Sequence, residues 1–147
     1  MKKSKSVRRL KCNVGEYGVI VNLREEFLIL KLPLNKEFTK EMWMLPGGRL
    51  DEDDQPKSGL KREVVEETGL KIKVVSPVHV ARWGIEKPPK YATFFLCKLV
   101  GDQSVQISDE HTESKWIKFS DIENIPWHNK NSYIAAKKSE KLLSVNL

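Results

Sequence analysis

Residues 47–70 read Gly-Gly-Arg-Leu-Asp-Glu-Asp-Asp-Gln-Pro-Lys-Ser-Gly-Leu-Lys-Arg-Glu-Val-Val-Glu-Glu-Thr-Gly-Leu, and they constrain the chain more than any other stretch. A glycine pair opens the segment, Pro56 sits where the first residue of a helix tolerates a missing amide, and Gly69 closes it. This punctuation predicts one helix of about three to four turns. Within it Glu63, Glu66 and Glu67 recur at i, i+3 and i+4, so at about 100° per residue three carboxylates share one face. Like charges at that spacing cost an isolated helix ~0.2–0.5 kcal/mol per pair, and a bound divalent cation turns the repulsion into attraction. The plain alternative is a solvated acidic face. Gly59, about 40° from Glu63, weakens a helix by about 1 kcal/mol relative to Ala and leaves a bare surface for close approach. Leu60, Val64 and Val65 offer an apolar flank for packing, with Arg62 on the other side.

The order Gly48, five residues, Asp54, seven residues, then Arg62-Glu63-Val64-Val65-Glu66-Glu67-Thr68-Gly69-Leu70 resembles the signature of the Nudix hydrolases. That signature is Gly-x5-Glu-x7-Arg-Glu-U-x-Glu-Glu-x-Gly-U, with U aliphatic, and eight of its nine defined positions match. The departure is Asp54 where the family has Glu, so a carboxylate one methylene shorter must reach the same loop partner. The resemblance implies an α/β/α sandwich with a mixed sheet, an α/β (α+β) fold in which the signature forms a loop, helix and loop beside the sheet. It implies hydrolysis of a phosphoanhydride bond assisted by Mg2+ or Mn2+. The ion would be held by Glu63, Glu66 and Glu67, with the backbone carbonyl of Gly47 as a further ligand, and Arg62 would orient a glutamate by an ion pair. The general base stays open between Glu63 on the helix and Glu110, which stands six residues before Trp116, a spacing at which some relatives carry an acidic ligand or base. Asp109 and Glu113 are neighbours that could replace Glu110.

The rest of the chain leaves room for little else. At 147 residues it is expected to form one domain, burying about two thirds of its unfolded surface. Its 39% hydrophobic and 31% charged content is that of an ordinary globular protein, and no apolar run approaches the ~20 residues of a membrane span. No signal peptide is evident and Cys12 and Cys97 follow no ligand spacing, so reduced thiols in a cytoplasmic protein are expected. The net charge of +6 equals the six cations of residues 1–12, which include no acid. The expectation is therefore a basic, flexible tail over 1–12 and an electrically balanced domain over 13–147, which argues against broad nucleic-acid binding.

Apolar runs at 17–21 and 27–32, parted by polar residues and stopped by Pro33, predict a β-hairpin. Further strands are expected at 71–82, 91–100 and 115–119, with loops at 83–90 and 101–112, a short turn at Ser120, and a terminal helix from about 131. Trp43-Met44-Leu45-Pro46 reads as an apolar pin before the glycine pair. His79, His111 and His128 share no metal spacing and read as surface or loop residues, with His111 beside Glu110 the one exception.

Trp83, Tyr91, Phe94 and Trp127 could stack a base, although aromatics in strands more often belong to the core. Trp127 and Asn129, just after Pro126, resemble the place where relatives that cleave nucleoside triphosphates hold a purine. A small nucleotide is the expected partner, a homodimer stays open, and a nucleoside triphosphate cleaved to monophosphate and pyrophosphate is the first choice of reaction. ADP-ribose or nucleotide-sugar hydrolysis is the alternative, and a non-catalytic nucleotide- or RNA-binding module is the other class of answer.

Overall fold

Strand β1 (Asn13–Val21) carries the sheet because its two sides are both apolar enough to bury. Tyr17, Val19 and Val21 face one layer, and Gly18 and Ile20 the other. The structure, a computed structural model, describes residues 7–37, 39–85 and 87–145. Strand β2 (Glu26–Lys31) returns antiparallel after a polar turn, with Val21 opposite Phe27, as the hairpin reading expects. Strand β5 (Ile72–Trp83) and strand β6 (Lys90–Leu99) form a second antiparallel pair. β6 then runs parallel to β1 from Asn13 opposite Lys90 to Val21 opposite Lys98, which makes the sheet mixed. β5 lies at one edge, which is where a strand can hold Pro77 without breaking a ladder on both sides. Bulges between Val74 and Ser76 and between Pro77 and His79 absorb the irregularity.

Two short strands stand where sequence reading expects only a pin and a loop. Strand β3 (Trp43–Met44) pairs with β2, and strand β4 (Gly47–Arg49) pairs with β1, placing Gly47 opposite Tyr17 and Gly48 opposite Glu16. Gly47 has φ of 145°, and a Cβ there would strike the carbonyl oxygen of Glu16, so only glycine allows this approach. Strand β7 (Glu113–Lys118) pairs with β2.

Helices cover both faces. Helix α1 (Pro56–Thr68) sets Leu60 and Val64, both fully buried, against Ile20, Leu28, Leu30 and Cys97. Gly69, at φ 72°, ends it as the sequence predicts, its N–H donating to the Val65 carbonyl. Val65 is 49% exposed and does not join the apolar flank expected of it, because it points away from the sheet. A 3-10 turn (Phe119–Asn124) and helix α2 (Lys130–Leu143) cover the other face with Ile122, Ala135 and Ala136. α2 buries Ser132, Ala135, Ala136 and Ser139, a stripe at helical spacing that hydropathy alone underrates because half of it is serine. The result is the three-layer α/β/α sandwich.

Residues 7–12 are exposed and without regular structure, while the tail lysines Lys2, Lys3 and Lys5 lie outside the described residues. Cys12 and Cys97 are free thiols, and burial pushes Cys97 up to about 12, which leaves it inert. Among the described residues no helix is long and apolar enough to cross a membrane.

Candidate metal and phosphate site

Helix α1 is pinned by Leu60 and Val64, and that fixes where its carboxylates point. Glu67 is almost fully buried, and its Oε1 accepts the Gly47 N–H at 2.7 Å. Glu63 is mostly buried and lies against Gly48, where an added Cβ would come within 2.6 Å of the carboxylate. Glu66 is half exposed. The bare surface at Gly59 is filled by the preceding loop, where Leu50 and Asp54 pack against it.

Arg62 ties this corner together. Its Nη2 donates to Asp54 Oδ2 at 2.7 Å, and its Nη1 reaches Glu66 Oε1 at 3.1 Å and stands 3.3 Å from Glu63 Oε1. The side chain expected on the far side of the helix thus reaches round to the acidic face, since a guanidinium on three methylenes spans the ~100° between neighbouring positions. Asp54, despite its shorter arm, meets Arg62 and also accepts the Asp51 N–H at 2.7 Å.

The loop before β7 completes the site. Gln106 N–H donates to the Thr68 carbonyl and Ser108 N–H to the Glu67 carbonyl, each at 2.9 Å, so the segment is stitched to the open end of α1. Ser108, Asp109 and Glu110 consequently share one cleft with Glu63, Glu66 and Glu67. Glu113 does not join it; it lies in β7, 3.8 Å from Lys31 Nζ. His111, set apart in the sequence from the other histidines by its place beside Glu110, is 7% exposed, with Nδ1 3.7 Å from Glu67 Oε2. Its burial follows from the stitched loop, which sequence spacing does not reveal.

Charge and burial oppose each other here. Burial pushes Glu67 up to about 8, the Gly47 N–H works against the shift, and the charges of Glu110, Glu63 and Glu66 add to it. Burial also raises Glu63, against the opposing charge of Arg62. The hydrogen bond from Arg62 holds Asp54 below the ordinary carboxylate range. Carboxylates crowded into one cleft repel one another, a repulsion that a hard divalent cation relieves, and oxygen atoms suit Mg2+ or Mn2+. The residues present therefore fit such an ion.

The four aromatic and polar residues expected to touch substrate do not line the acidic cleft. Trp83 stacks on Tyr17 at 5.0 Å between ring centroids, with Lys90 Nζ 4.4 Å from its own ring. Tyr91 follows Lys90 on β6 and points to the opposite face of the sheet. Trp127 packs parallel to Phe27 and donates Nε1–H to the Ile122 carbonyl at 3.2 Å. Asn129 Oδ1 caps α2 by accepting the Ser132 N–H at 2.8 Å. His79 and His128 are half-buried rather than superficial; His79 Nε2 is 3.0 Å from Asn131 Oδ1.

Known proteins share both sequence and fold with this chain. The chain is 31% identical over 124 residues to Nudix hydrolase 7 of Arabidopsis thaliana, covering 80% of this chain and 43% of the plant protein. It is 30% identical over 117 residues to an 8-oxo-dGTP diphosphatase of Buchnera aphidicola, covering 80% of this chain and 85% of that one. The crystal structure of a MutT protein from Methanosarcina mazei superposes with a TM-score of 0.76 at 25% identity, over 93% of this chain and 99% of that one. The chain spans less than half the length of the plant relatives it matches. A family profile described as the NUDIX domain matches residues 15–137, and the chain belongs to the Nudix family.

Proposed function

We propose that this domain is a divalent-metal-dependent pyrophosphohydrolase that cleaves a nucleoside triphosphate to monophosphate and pyrophosphate. The observation that carries the reading is the convergence of Glu63, Glu66, Glu67 and Glu110 on one cleft, held by Arg62 and the Gly47 amide. The name of the Buchnera relative, an 8-oxo-dGTP diphosphatase, supports the same bond class.

Phosphoanhydrides resist hydrolysis because their oxygens repel an incoming nucleophile. A bound Mg2+ or Mn2+ would neutralise that charge and lower the pKa of a coordinated water. Glu66, Glu67 and Glu110 are assigned to hold the cation, with the Gly47 carbonyl at the rim. Arg62 keeps Glu66 aimed, a positioning role. Glu63, more basic than a free carboxylate through burial, is assigned to accept the proton of the attacking water. The water oxygen bonds to phosphorus, the bridging P–O bond breaks, and pyrophosphate leaves with the electron pair. Of the four residues expected to contact the nucleoside, Trp83 and Trp127 also serve packing and Asn129 caps α2, and all four stay candidates for that contact.

Incubation with nucleoside triphosphates, ADP-ribose, nucleotide sugars and dinucleoside polyphosphates, each with Mg2+ or Mn2+, tests this. Monophosphate and pyrophosphate from a triphosphate support it. Turnover of ADP-ribose or a nucleotide sugar alone moves the assignment to that substrate class, and no turnover of any compound overturns the enzymatic reading.

A further inference from the structure

One polar atom beside the acidic cleft has no role in the reaction just described. His111 is 7% exposed, and its Nδ1 makes no hydrogen bond among the described residues although it is fully shielded. A buried ring nitrogen left without a partner costs about 1–3 kcal/mol, so its position calls for an occupant of the space it faces. Its neighbours are acids of the site: Nδ1 is 3.7 Å from Glu67 Oε2, and donor atoms of Glu67, Glu110 and His111 all lie within 4.8 Å of one another.

At 3.7 Å the imidazole and the carboxylate are too far apart for a hydrogen bond. Two ligands of one divalent ion, each ~2.1 Å from it, stand about 3 Å apart when adjacent and about 4.2 Å apart when opposite. The observed gap falls between these limits. Glu67 Oε1 is already taken by the Gly47 amide, so Oε2 is the oxygen left to face a cation.

We propose that His111 Nδ1 is a metal ligand that joins Glu67 Oε2 and the Glu110 carboxylate in a mixed nitrogen and oxygen site. The inference rests on the metal-dependent reading of the cleft and adds to it a preference. Imidazole binds first-row transition ions better than it binds magnesium, so Mn2+, and Co2+ more strongly, should be favoured over Mg2+ at this position. The signal in sequence is slight: a histidine directly after the loop acid, with no motif around it.

The test is pulsed electron paramagnetic resonance of the wild-type protein loaded with one equivalent of Mn2+, beside calorimetric titrations of Mn2+ and Mg2+ into wild type and His111→Phe. Expected are a nitrogen coupling to the bound Mn2+ in wild type, its loss in the variant, and a roughly 10-fold weakening of Mn2+ binding with Mg2+ affinity changed less than about 2-fold. Bound Mn2+ without nitrogen coupling overturns the ligand assignment and leaves the carboxylate site standing. Failure of either ion to bind the wild type overturns the metal reading as well. The spectrum of the wild type decides the question even if His111→Phe does not fold.

Discussion

At Gly48 and Arg62 the site depends on single atoms, and both can be tested without touching the proposed ligands of the cation. A Cβ at Gly48 would come within 2.6 Å of the Glu63 carboxylate. Gly48→Ala should therefore displace that carboxylate and lower kcat by at least ~10-fold, with a circular-dichroism spectrum like that of wild type. Arg62 engages Asp54, Glu63 and Glu66 at once through a planar fork that lysine cannot reproduce. Arg62→Lys should weaken metal binding about 10-fold in a calorimetric titration, and unchanged affinity would remove Arg62 from its positioning role. The helical glutamates are legible in sequence because α-helical periodicity alone brings them to one face, whereas Arg62 is legible only through its place in the signature. Asp54 is legible as a partner of the loop through its place in the signature. His111 is not, since its burial depends on backbone hydrogen bonds from the 106–108 segment to the end of α1.

At the scale of elements, β1 and α1 carry the scaffold on which the cleft is held. Leu60 is fully buried between α1 and the sheet, so Leu60→Ala should destabilise the domain by about 2–5 kcal/mol in urea unfolding. β1 also holds a liability. Glu16 is 2% exposed, its Oε2 finds no partner among the described residues, and burial pushes it up to about 7. An acid whose folded pKa lies above its unfolded value binds more protons when folded, so stability falls as pH rises from about 4.5 and levels off above about 7. Glu67, up at about 8, extends the same trend in the metal-free protein. Glu16→Gln should thus raise stability at pH 8 by about 1–3 kcal/mol and do little at pH 4, as measured by denaturant unfolding at the two pH values. The long strands and both helices are foreseeable from β-branched runs, capping residues and glycine stops. The strands of two and three residues, β3 and β4, are not, because Gly47 and Gly48 read as a turn and take strand pairing only from contact with β1.

For the whole molecule, the sheet separates two kinds of work. One face, under α1, packs an apolar layer whose open end holds the carboxylates, and the other, under α2, packs aromatic rings around Tyr17, Trp83 and Phe94. The parallel pairing of β1 with β6, which makes the sheet mixed, was not legible from local sequence patterns, since it joins segments almost eighty residues apart. A ligand that binds only the folded state stabilises it, so Mn2+ at about 100 times its dissociation constant should add ~2.7 kcal/mol and raise Tm by several degrees. The same addition should have little effect on Glu67→Gln.

The most direct measurement follows a nucleoside triphosphate by phosphorus NMR in the presence of Mg2+, with wild type and Glu67→Gln side by side. Wild type should release monophosphate and pyrophosphate, EDTA should stop it, and the folded variant should be slower by at least ~100-fold. Equal rates for the two proteins, or release of diphosphate and inorganic phosphate instead, would contradict the assignment of this cleft.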